Sequence, residues 1–508
     1  MDGLLHGALE ATARRLPDRV ALRSTDRDWT YRDLGREMTA TGTHLRAHGV
    51  GTGDRVAIMA SNRPEVLTAV LGVAEVGAVA VLLSPAWRTT EVAHAVELTG
   101  PVLGIADDTS VATLAPALGA DRVLDLDDPA TAAALAATGP APVHGGTTPP
   151  SAGDDAVLVF SSGTTGLPKA VRHTHATLGA ATDHWVRSLG LTGDDRFQVA
   201  TPPSHILGLL NLLAAVRVGA TVRLHRRFDI DAVLAAVEAD RITLEMAVAP
   251  IALALADHPD LERYDLSSLR YIMWGATPVT ASVADTVTRR TGVRWLPAYG
   301  ASEVPVLACN PVDRPDAWRL DRAGLAPDDV ELRVVDLADG TVLGPDQIGE
   351  IQARGPSVMA GYLPEADTAA AFDDGWFRTG DVGRLDADGW VELTDRAKEM
   401  IKVNGFQVAP AEIEAVLHGH PDVADCAVFG VDDERAGEVP VAAVALADRA
   451  TVTADELRAV VVDRLAAYKQ LRAVVLVEEI PRLPSGKVLR RRLRDELAPG
   501  FAAVGEDR

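Results

Sequence analysis

Apolar and polar positions along this chain follow two periods, and their order predicts a layered α/β protein. Short continuous apolar runs, closed by charges or glycine, predict buried strands over 55–60, 78–83, 156–160, 269–274 and 293–299. Between the first two of these lies Asn62-Arg-Pro-Glu65, a capping residue followed by proline, which predicts a helix over 64–76. Thr30-Tyr-Arg-Asp33 predicts a second helix start, with Thr30 as cap and Asp33 in the first turn. Residues 231–238 are helical by spacing. Strands alternating with helices in this way imply a largely parallel sheet. A Gly/Pro/Thr/Ala-rich stretch over 138–153 reads as a surface connection.

The texture changes at Gly349. Residues 349–355 and 389–393 read as short, glycine-bounded strands of a β-rich section. Beyond Asp395 a tail of roughly a hundred residues has a workable size for a small domain. It carries a helix from Pro410, strands over 426–431 and 441–446, and a helix capped by Thr453 with Glu456 three residues on. A terminal basic helix follows, with Leu489, Leu493 and Leu497 on one face.

Bulk properties narrow the function classes. A chain of 508 residues is too long for one ordinary core. A net charge of −23 excludes sequence-independent binding to nucleic acid or to an anionic membrane and describes a solvated acidic surface. The most apolar window, 66–83, is broken by Gly72, Glu75 and Gly77 and is not a membrane span. Cys309 and Cys426 are the only cysteines, so neither a disulfide framework nor a cysteine-rich zinc site is expected. Asp2 and Glu10 occupy the N-terminal region, which lacks the cationic apolar pattern of a signal peptide. A cytoplasmic enzyme is the expectation.

The chemistry concentrates after the strand at 156–160. Ser161, Ser162, Gly163, Thr164, Thr165, Gly166 and Lys169 combine hydroxyls, close-approach glycines and one cation. Backbone amides in such a loop can point at anionic oxygens, which makes a phosphate cradle or a simple turn. The glycine spacing is not that of the P-loop NTPases. Loops at 275–278 and 299–303 also follow strands, and ligand sites in open α/β sheets lie at the carboxyl ends of strands. All three loops are therefore expected at one crevice.

Five further motifs join that loop: Tyr299-Gly-Ala-Ser-Glu303, Trp376-Phe-Arg-Thr-Gly-Asp381, Asp395 to Gly405 (DRAKEMIKVNG), Gln407 to Glu414 (QVAPAEIE) and Pro484-Ser-Gly-Lys487. In this order and spacing, across nearly the whole chain, they resemble the ANL superfamily of adenylate-forming enzymes. The closest likeness is to the branch of 4-coumarate–CoA ligase, fatty acyl-CoA synthetase and firefly luciferase.

The resemblance implies a large N-terminal domain, 1–397, of layered sheets and helices with a β-rich subdomain. It also implies a small, mobile α+β C-terminal domain, 398–508. The implied reaction is ATP-dependent: a carboxylate gives an acyl-adenylate and pyrophosphate, then coenzyme A gives a thioester and AMP. The implied roles are these. The loop from Ser161 to Lys169 holds phosphates, departing from the family at Ala170, where glycine is usual. Glu303 with Thr164 meets Mg2+. Tyr299 stacks on adenine, with Gly275 and Ala276 closing the other side, and Ser302 keeps a hydroxyl for phosphate. Asp381 takes the ribose hydroxyls and Arg396 helps hold the nucleotide. Lys487 stabilises the transition state. Lys398 is the hinge, Gly405 lines the thiol path, and Lys402 and Gln407 enter the site for the second step.

His205 matches a position between acyl pocket and phosphate, where amino-acid-activating relatives carry aspartate, so an amino acid is disfavoured. The acyl wall is expected from Ile206, Leu207, Leu210, Asn211, Trp274, Thr277, Gly300, Pro305 and Val306. Gly300 leaves depth, whereas the bulk of Trp274 argues against coumarate itself and for a medium aliphatic or aromatic carboxylate. The alternative is an adenylating enzyme whose acceptor is a carrier protein, an amine or another nucleophile, or whose acid is an unusual oxyacid. No attached carrier segment is expected after Lys487.

Overall fold

Two sheets dominated by parallel strands carry the first part of the chain in the computed structural model. The structure describes residues 3–136, 149–161, 168–275, 281–396, 399–403, 406–433, 436–447, 449–465, 469–482 and 488–498.

One sheet has seven strands in the order Gly361–Leu363, Lys169–Thr174, Asp155–Ser161, Val79–Leu82, Arg55–Met59, Leu103–Ala106 and Val123–Asp125. Its members from Asp155–Ser161 to Val123–Asp125 run parallel, as the strand–helix alternation requires. The other two do not: Lys169–Thr174 returns antiparallel to Asp155–Ser161, and Gly361–Leu363 adds antiparallel at the edge. The stretch that sequence placed at the centre of the chemistry is therefore a β-hairpin, with its loop closing two antiparallel strands.

The second sheet has eight strands: Ala308–Cys309, Trp295–Tyr299, Tyr271–Trp274, Leu244–Ala247, Arg196–Val199, Thr221–Leu224, Val20–Arg23 and Asp28–Thr30. All but the two end strands are parallel to their neighbours. Helix Tyr31–Ala47 begins with the expected reciprocal cap between Thr30 and Asp33. The buried Tyr31 hydroxyl donates to the carbonyls of Ala215 at 2.9 Å and Ala220 at 2.6 Å. Helix Pro64–Glu75 begins at proline as expected, but Asn62 does not cap it. The Asn62 amide instead donates to the carbonyls of Ala200 at 3.1 Å and Thr201 at 3.3 Å, tying the end of one sheet to the other.

A third, antiparallel sheet is the β-rich section: Glu331–Val335, Gly349–Arg354, Trp376–Leu385 and Phe372–Asp373, with Val391–Arg396 on the other side of Trp376–Leu385. Its inner residues Ile351, Phe377 and Val391 join the apolar core shared by the first two sheets. The last sheet, built from Ile401–Val403, Phe406–Val408, Val423–Asp433, Gly437–Leu446 and Ala473–Val477, has apolar clusters of its own. Helices Pro410–His418, Ala454–Arg464 and Arg490–Leu497 accompany it, the middle one with the expected Thr453–Glu456 capping box. The fold class read from sequence holds. Among the described residues no helix is long and apolar enough to cross a membrane.

Candidate active site

The hairpin places Ser161 directly opposite Lys169, so the intervening loop starts and ends at one pair of facing residues. Ser162, Gly163, Thr164, Thr165 and Gly166 lie outside the described residues. Lys169 is bound to Asp367, Nζ to Oδ2 at 3.0 Å, and lies 5.5 Å from the centre of the Tyr362 ring. Ala170 is fully buried, opposite Phe160 on one side and Leu363 on the other.

The second component is the turn that follows strand Trp295–Tyr299. Gly300 is dictated by that turn. A Cβ there would lie 2.1 Å from the carbonyl oxygen of Pro305, so the residue is glycine because its own loop folds over it. Sequence assigned this glycine to pocket depth; the backbone alone demands it. The turn is closed by Ala301 N–H to Val304 O at 2.9 Å and Leu307 N–H to Tyr299 O at 2.8 Å.

Two groups from the hairpin and its edge strand then fix the acidic end of the turn. His173 donates Nε2–H to the carbonyl of Ser302 at 2.7 Å, while its Nδ1 faces the Thr177 hydroxyl at 3.2 Å. Burial pushes the His173 pKa down to about 4, so it is the neutral ring that makes these bonds. The Tyr362 hydroxyl donates to Oε1 of Glu303 at 2.7 Å, and Met359 N–H donates to the Glu303 carbonyl at 2.8 Å. The hairpin and the Tyr299–Glu303 turn, which belong to different sheets, are thus tied side by side. Gly275 ends the adjacent parallel strand, with Trp274 opposite Pro297 in register; Ala276 and Thr277 lie outside the described residues.

Asp381 comes from the third sheet. Gly380 before it takes a φ of +70°, a conformation that favours glycine, and its N–H donates to Oε1 of Glu350 at 3.2 Å. The Thr379 hydroxyl bonds Ile351 O at 2.7 Å and accepts from Asp381 N–H at 3.0 Å, which sets the carboxylate. Asp381 receives the Tyr299 hydroxyl at 2.6 Å, both residues being buried. Arg396 faces Asp381 across the strand pair in register.

His205 caps helix Ile206–Val218, its Nδ1 accepting Leu207 N–H at 3.2 Å. Burial lowers its pKa to about 4, so the imidazole is neutral and, with Nδ1 accepting, carries its proton on Nε2. Of the expected acyl wall, Ile206, Leu210 and Val306 are buried in the main core and Leu207 is partly exposed. Two members are engaged elsewhere. Trp274 is 2% exposed and packs on Trp295, ring centres 5.0 Å apart, in a separate apolar cluster. Asn211 is buried and accepts the Trp185 indole N–H at 2.7 Å.

In the last sheet Lys402 and Gln407 face each other across antiparallel strands. Lys402 is exposed and its N–H donates to Glu438 at 2.8 Å. Lys402 lies on strand Ile401–Val403. Lys398, Gly405 and Lys487 lie outside the described residues. The segment bearing Lys487 is bracketed by a bridge between Arg482 and Val488.

Sequence reasoning missed Tyr362, Asp367 and His173. Nothing in their spacing marks them; the signal is only topological, an edge strand laid beside the hairpin. A Mg2+ ion fits this donor set. Among the described residues no three His, Cys, Asp or Glu side chains cluster as a metal cage. Magnesium bridging nucleotide phosphates needs only one or two carboxylates, as Glu303 would supply.

The chain is similar to known proteins along nearly its whole length. The family model described as AMP-binding enzyme matches residues 9–363, and that of the AMP-binding enzyme C-terminal domain matches 412–487. The chain is 36% identical over 525 residues to 4-coumarate–CoA ligase 2 of Oryza sativa subsp. japonica, covering 97% of this chain and 92% of that protein. It is 37% identical over 488 residues to feruloyl-CoA synthase of Amycolatopsis sp, covering 95% and 96%. Among solved structures, the amide bond synthetase McbA from Marinactinospora thermotolerans superposes with a TM-score of 0.85 at 30% identity, covering 97% of this chain and 99% of that one.

Proposed function

The chain belongs to the AMP-binding enzyme family and is an AMP-forming acid–CoA ligase using ATP and Mg2+, and on that premise we propose how its residues divide the work and which acid they take. The observation that carries the division is the Tyr299–Glu303 turn. Tyr299 bonds Asp381 at its start and Glu303 bonds Tyr362 at its end, so a ribose-binding acid and a metal-binding acid stand at one strand terminus.

In the first half-reaction the substrate carboxylate attacks the α-phosphorus of ATP and pyrophosphate leaves. The hairpin loop, with Ser161, Lys169 and the intervening hydroxyls, receives the departing phosphates. Glu303, with Thr164, would hold magnesium, which would supply positive charge to the site. Asp381 accepts the ribose hydroxyls, Tyr299 offers its ring to adenine, and Arg396 lies across from Asp381. His205, neutral, offers Nε2–H to an oxygen anion at the reacting centre. A neutral ring gives no counter-charge to a substrate ammonium, which argues against an amino acid. Lys487 meets the charge that builds on the α-phosphate oxygens, an interaction worth more in the transition state than in the ground state.

In the second half-reaction the thiol of coenzyme A adds to the acyl carbonyl and AMP leaves. We draw the boundary of the moving C-terminal unit between residues 397 and 398, with Lys398 as hinge and Gly405 on the thiol path. Lys402 and Gln407, facing each other across two strands, enter the site as one patch.

For the acid we infer an aromatic carboxylate. Trp274 packs on Trp295 in the core, which removes the bulk that spoke against arylpropenoic acids, and the curated relatives above are by name ligases of such acids. A cytoplasmic setting suits the two buried, unpaired cysteines.

The Lys487→Ala variant tests the assignment. Pyrophosphate release should fall by about 10²–10³ while AMP still binds; undiminished release would sink the role of the lysine. The likeness to an amide bond synthetase favours one second reading, an amine acceptor. Mass measurement of products with coenzyme A, with a carrier-protein thiol or with an amine present separates thioester from amide.

A further inference from the structure

The edge strand Gly361–Leu363 and the short helix Ala366–Ala371 after it touch both charges assigned above to the pyrophosphate site. Tyr362 reaches Glu303 with its hydroxyl at 2.7 Å, and Asp367, five residues on, holds the Lys169 ammonium at 3.0 Å. The strand is itself registered on the hairpin's return strand, Tyr362 opposite Val171 and Leu363 opposite Ala170, next to Lys169. Thr368 ties that helix back to the strand, its hydroxyl accepting Tyr362 N–H at 2.9 Å, so Tyr362 and Asp367 keep a fixed separation. The Lys169 ammonium also lies 5.5 Å from the centre of the Tyr362 ring.

The two contacts differ in kind. Tyr362 to Glu303 is a hydrogen bond to a carboxylate from a half-buried ring on a sheet edge, the sort of bond that fixes an orientation. Lys169 to Asp367 is an ion pair whose partners are 37% and 35% exposed, and pairs this open exchange readily for a better anion.

We propose that the segment 361–368 is a positioning strap for the leaving-group site. Tyr362 aims the Glu303 carboxylate for Mg2+, and Asp367 parks Lys169 until phosphate displaces it. The proposal rests on the reading that Glu303 meets the metal and Lys169 the phosphates. It adds two residues that act through others. Tyr362 touches no reacting atom; it removes the rotational freedom of an acid that must meet a metal with strict geometry. Asp367 holds the Lys169 ammonium at the end of the hairpin strand and releases it when the pyrophosphate moiety arrives.

Three substitutions in the full chain, Tyr362→Phe, Asp367→Asn and Glu303→Gln, test this by binding measurements as well as turnover. ATP binding is titrated with Mg2+, AMP binding is measured without metal, and inorganic pyrophosphate binding is measured without metal. For Tyr362→Phe the Mg2+ concentration giving half-saturation should rise about ten-fold, the factor carried by one hydrogen bond to a charged group, with AMP affinity unchanged. For Asp367→Asn metal-free pyrophosphate should bind about two- to five-fold more tightly, because a competing anion is gone. An unchanged magnesium titration in Tyr362→Phe, with a shifted one in Glu303→Gln, overturns the positioning role and leaves Glu303 as the metal acid. An unchanged titration in Glu303→Gln overturns the metal assignment, and the role of Tyr362 falls with it. Pyrophosphate binding that is equal or weaker in Asp367→Asn overturns the parking role.

Discussion

The phenolic hydroxyl of Tyr299 donates to Oδ2 of Asp381 at 2.6 Å, joining the end of a parallel strand to the third, antiparallel sheet. Both residues are buried, so each depends on the other for orientation. Removing the acid takes from a buried hydroxyl the carboxylate it donates to, at a cost of about 1–3 kcal/mol in stability, and removes the proposed ribose acceptor as well. Asp381→Ala is therefore expected to raise the KM for ATP by about ten- to a hundred-fold and to lower the urea midpoint. Tyr299→Phe keeps the ring for adenine and should raise that KM less than about five-fold. Initial rates in ATP with matched urea melts check both, and equal damage from the two substitutions would show that the hydroxyl does more than hold Asp381.

Two glycines, Gly275 expected beside the adenine and Gly300 expected in the acyl wall, should respond in opposite ways. At Gly300 a methyl group would enter the Pro305 carbonyl, a backbone atom that cannot move without opening the turn. At Gly275 the nearest neighbour is the Met273 sulfur at 3.3 Å, the end of a flexible side chain. Gly300→Ala should destabilise the fold by about 1–3 kcal/mol and cut pyrophosphate release sharply, since Glu303 and Tyr299 flank the strained turn. Gly275→Ala should keep most of its stability. Paired thermal melts and release assays decide it.

The motif order announced the layered α/β architecture, the β-rich section and the compact tail, because each rests on local periodicity and capping that a sequence carries openly. The Thr30–Asp33 and Thr453–Glu456 caps are examples. What sequence did not carry was contact between distant segments. Asn62 looked like a cap and instead ties two sheets. Trp274 looked like a pocket wall and packs on Trp295. The acids Asp381 and Glu303 were legible from their motifs, but the two hydroxyls that hold them, on Tyr299 and Tyr362, became visible only once strands from three sheets lay together.

His173 gives the site a pH dependence that can be isolated. Its folded pKa lies near 4 against an ordinary 6.5, because burial disfavours the charged ring. The unfolded chain therefore takes up a proton that the folded chain refuses between those values. The stabilisation is complete above about pH 6.5 and is lost as pH falls toward 4, at about 1.4 kcal/mol per pH unit at most. Glu245, whose pKa burial raises to about 7, works the other way, favouring the folded state as pH falls through the same range. His173→Gln preserves a donor for Ser302 O and removes the titration. Its stability, from urea melts between pH 7 and 5, should fall by about 2 kcal/mol less than that of the parent; parallel curves would place the proton elsewhere.

Arg490 anchors the terminal helix that follows the Lys487 segment. Its guanidinium holds both oxygens of Glu414 at 2.8 and 2.9 Å, pairs with Glu399, and donates Nε–H to Val428 O at 3.0 Å. Arginine and its two acids are each less than a fifth exposed. Arg490→Ala would leave the shielded carboxylates of Glu399 and Glu414 without their cation, so the C-terminal unit should lose about 3–5 kcal/mol, the usual cost of breaking a buried pair. Because the Arg482–Val488 bridge closes the base of the Lys487 segment just before this helix, loosening the helix should also misplace the lysine. The expected result is a fall of about ten- to a hundred-fold in pyrophosphate release, with AMP affinity within about two-fold of the parent, since Tyr299 and Asp381, proposed above to bind the nucleotide, are untouched. Arg490→Lys, which keeps the charge but not the fork, should fall between the two. Release assays beside calorimetric AMP titration separate misplacement from general unfolding, because unfolding would abolish both.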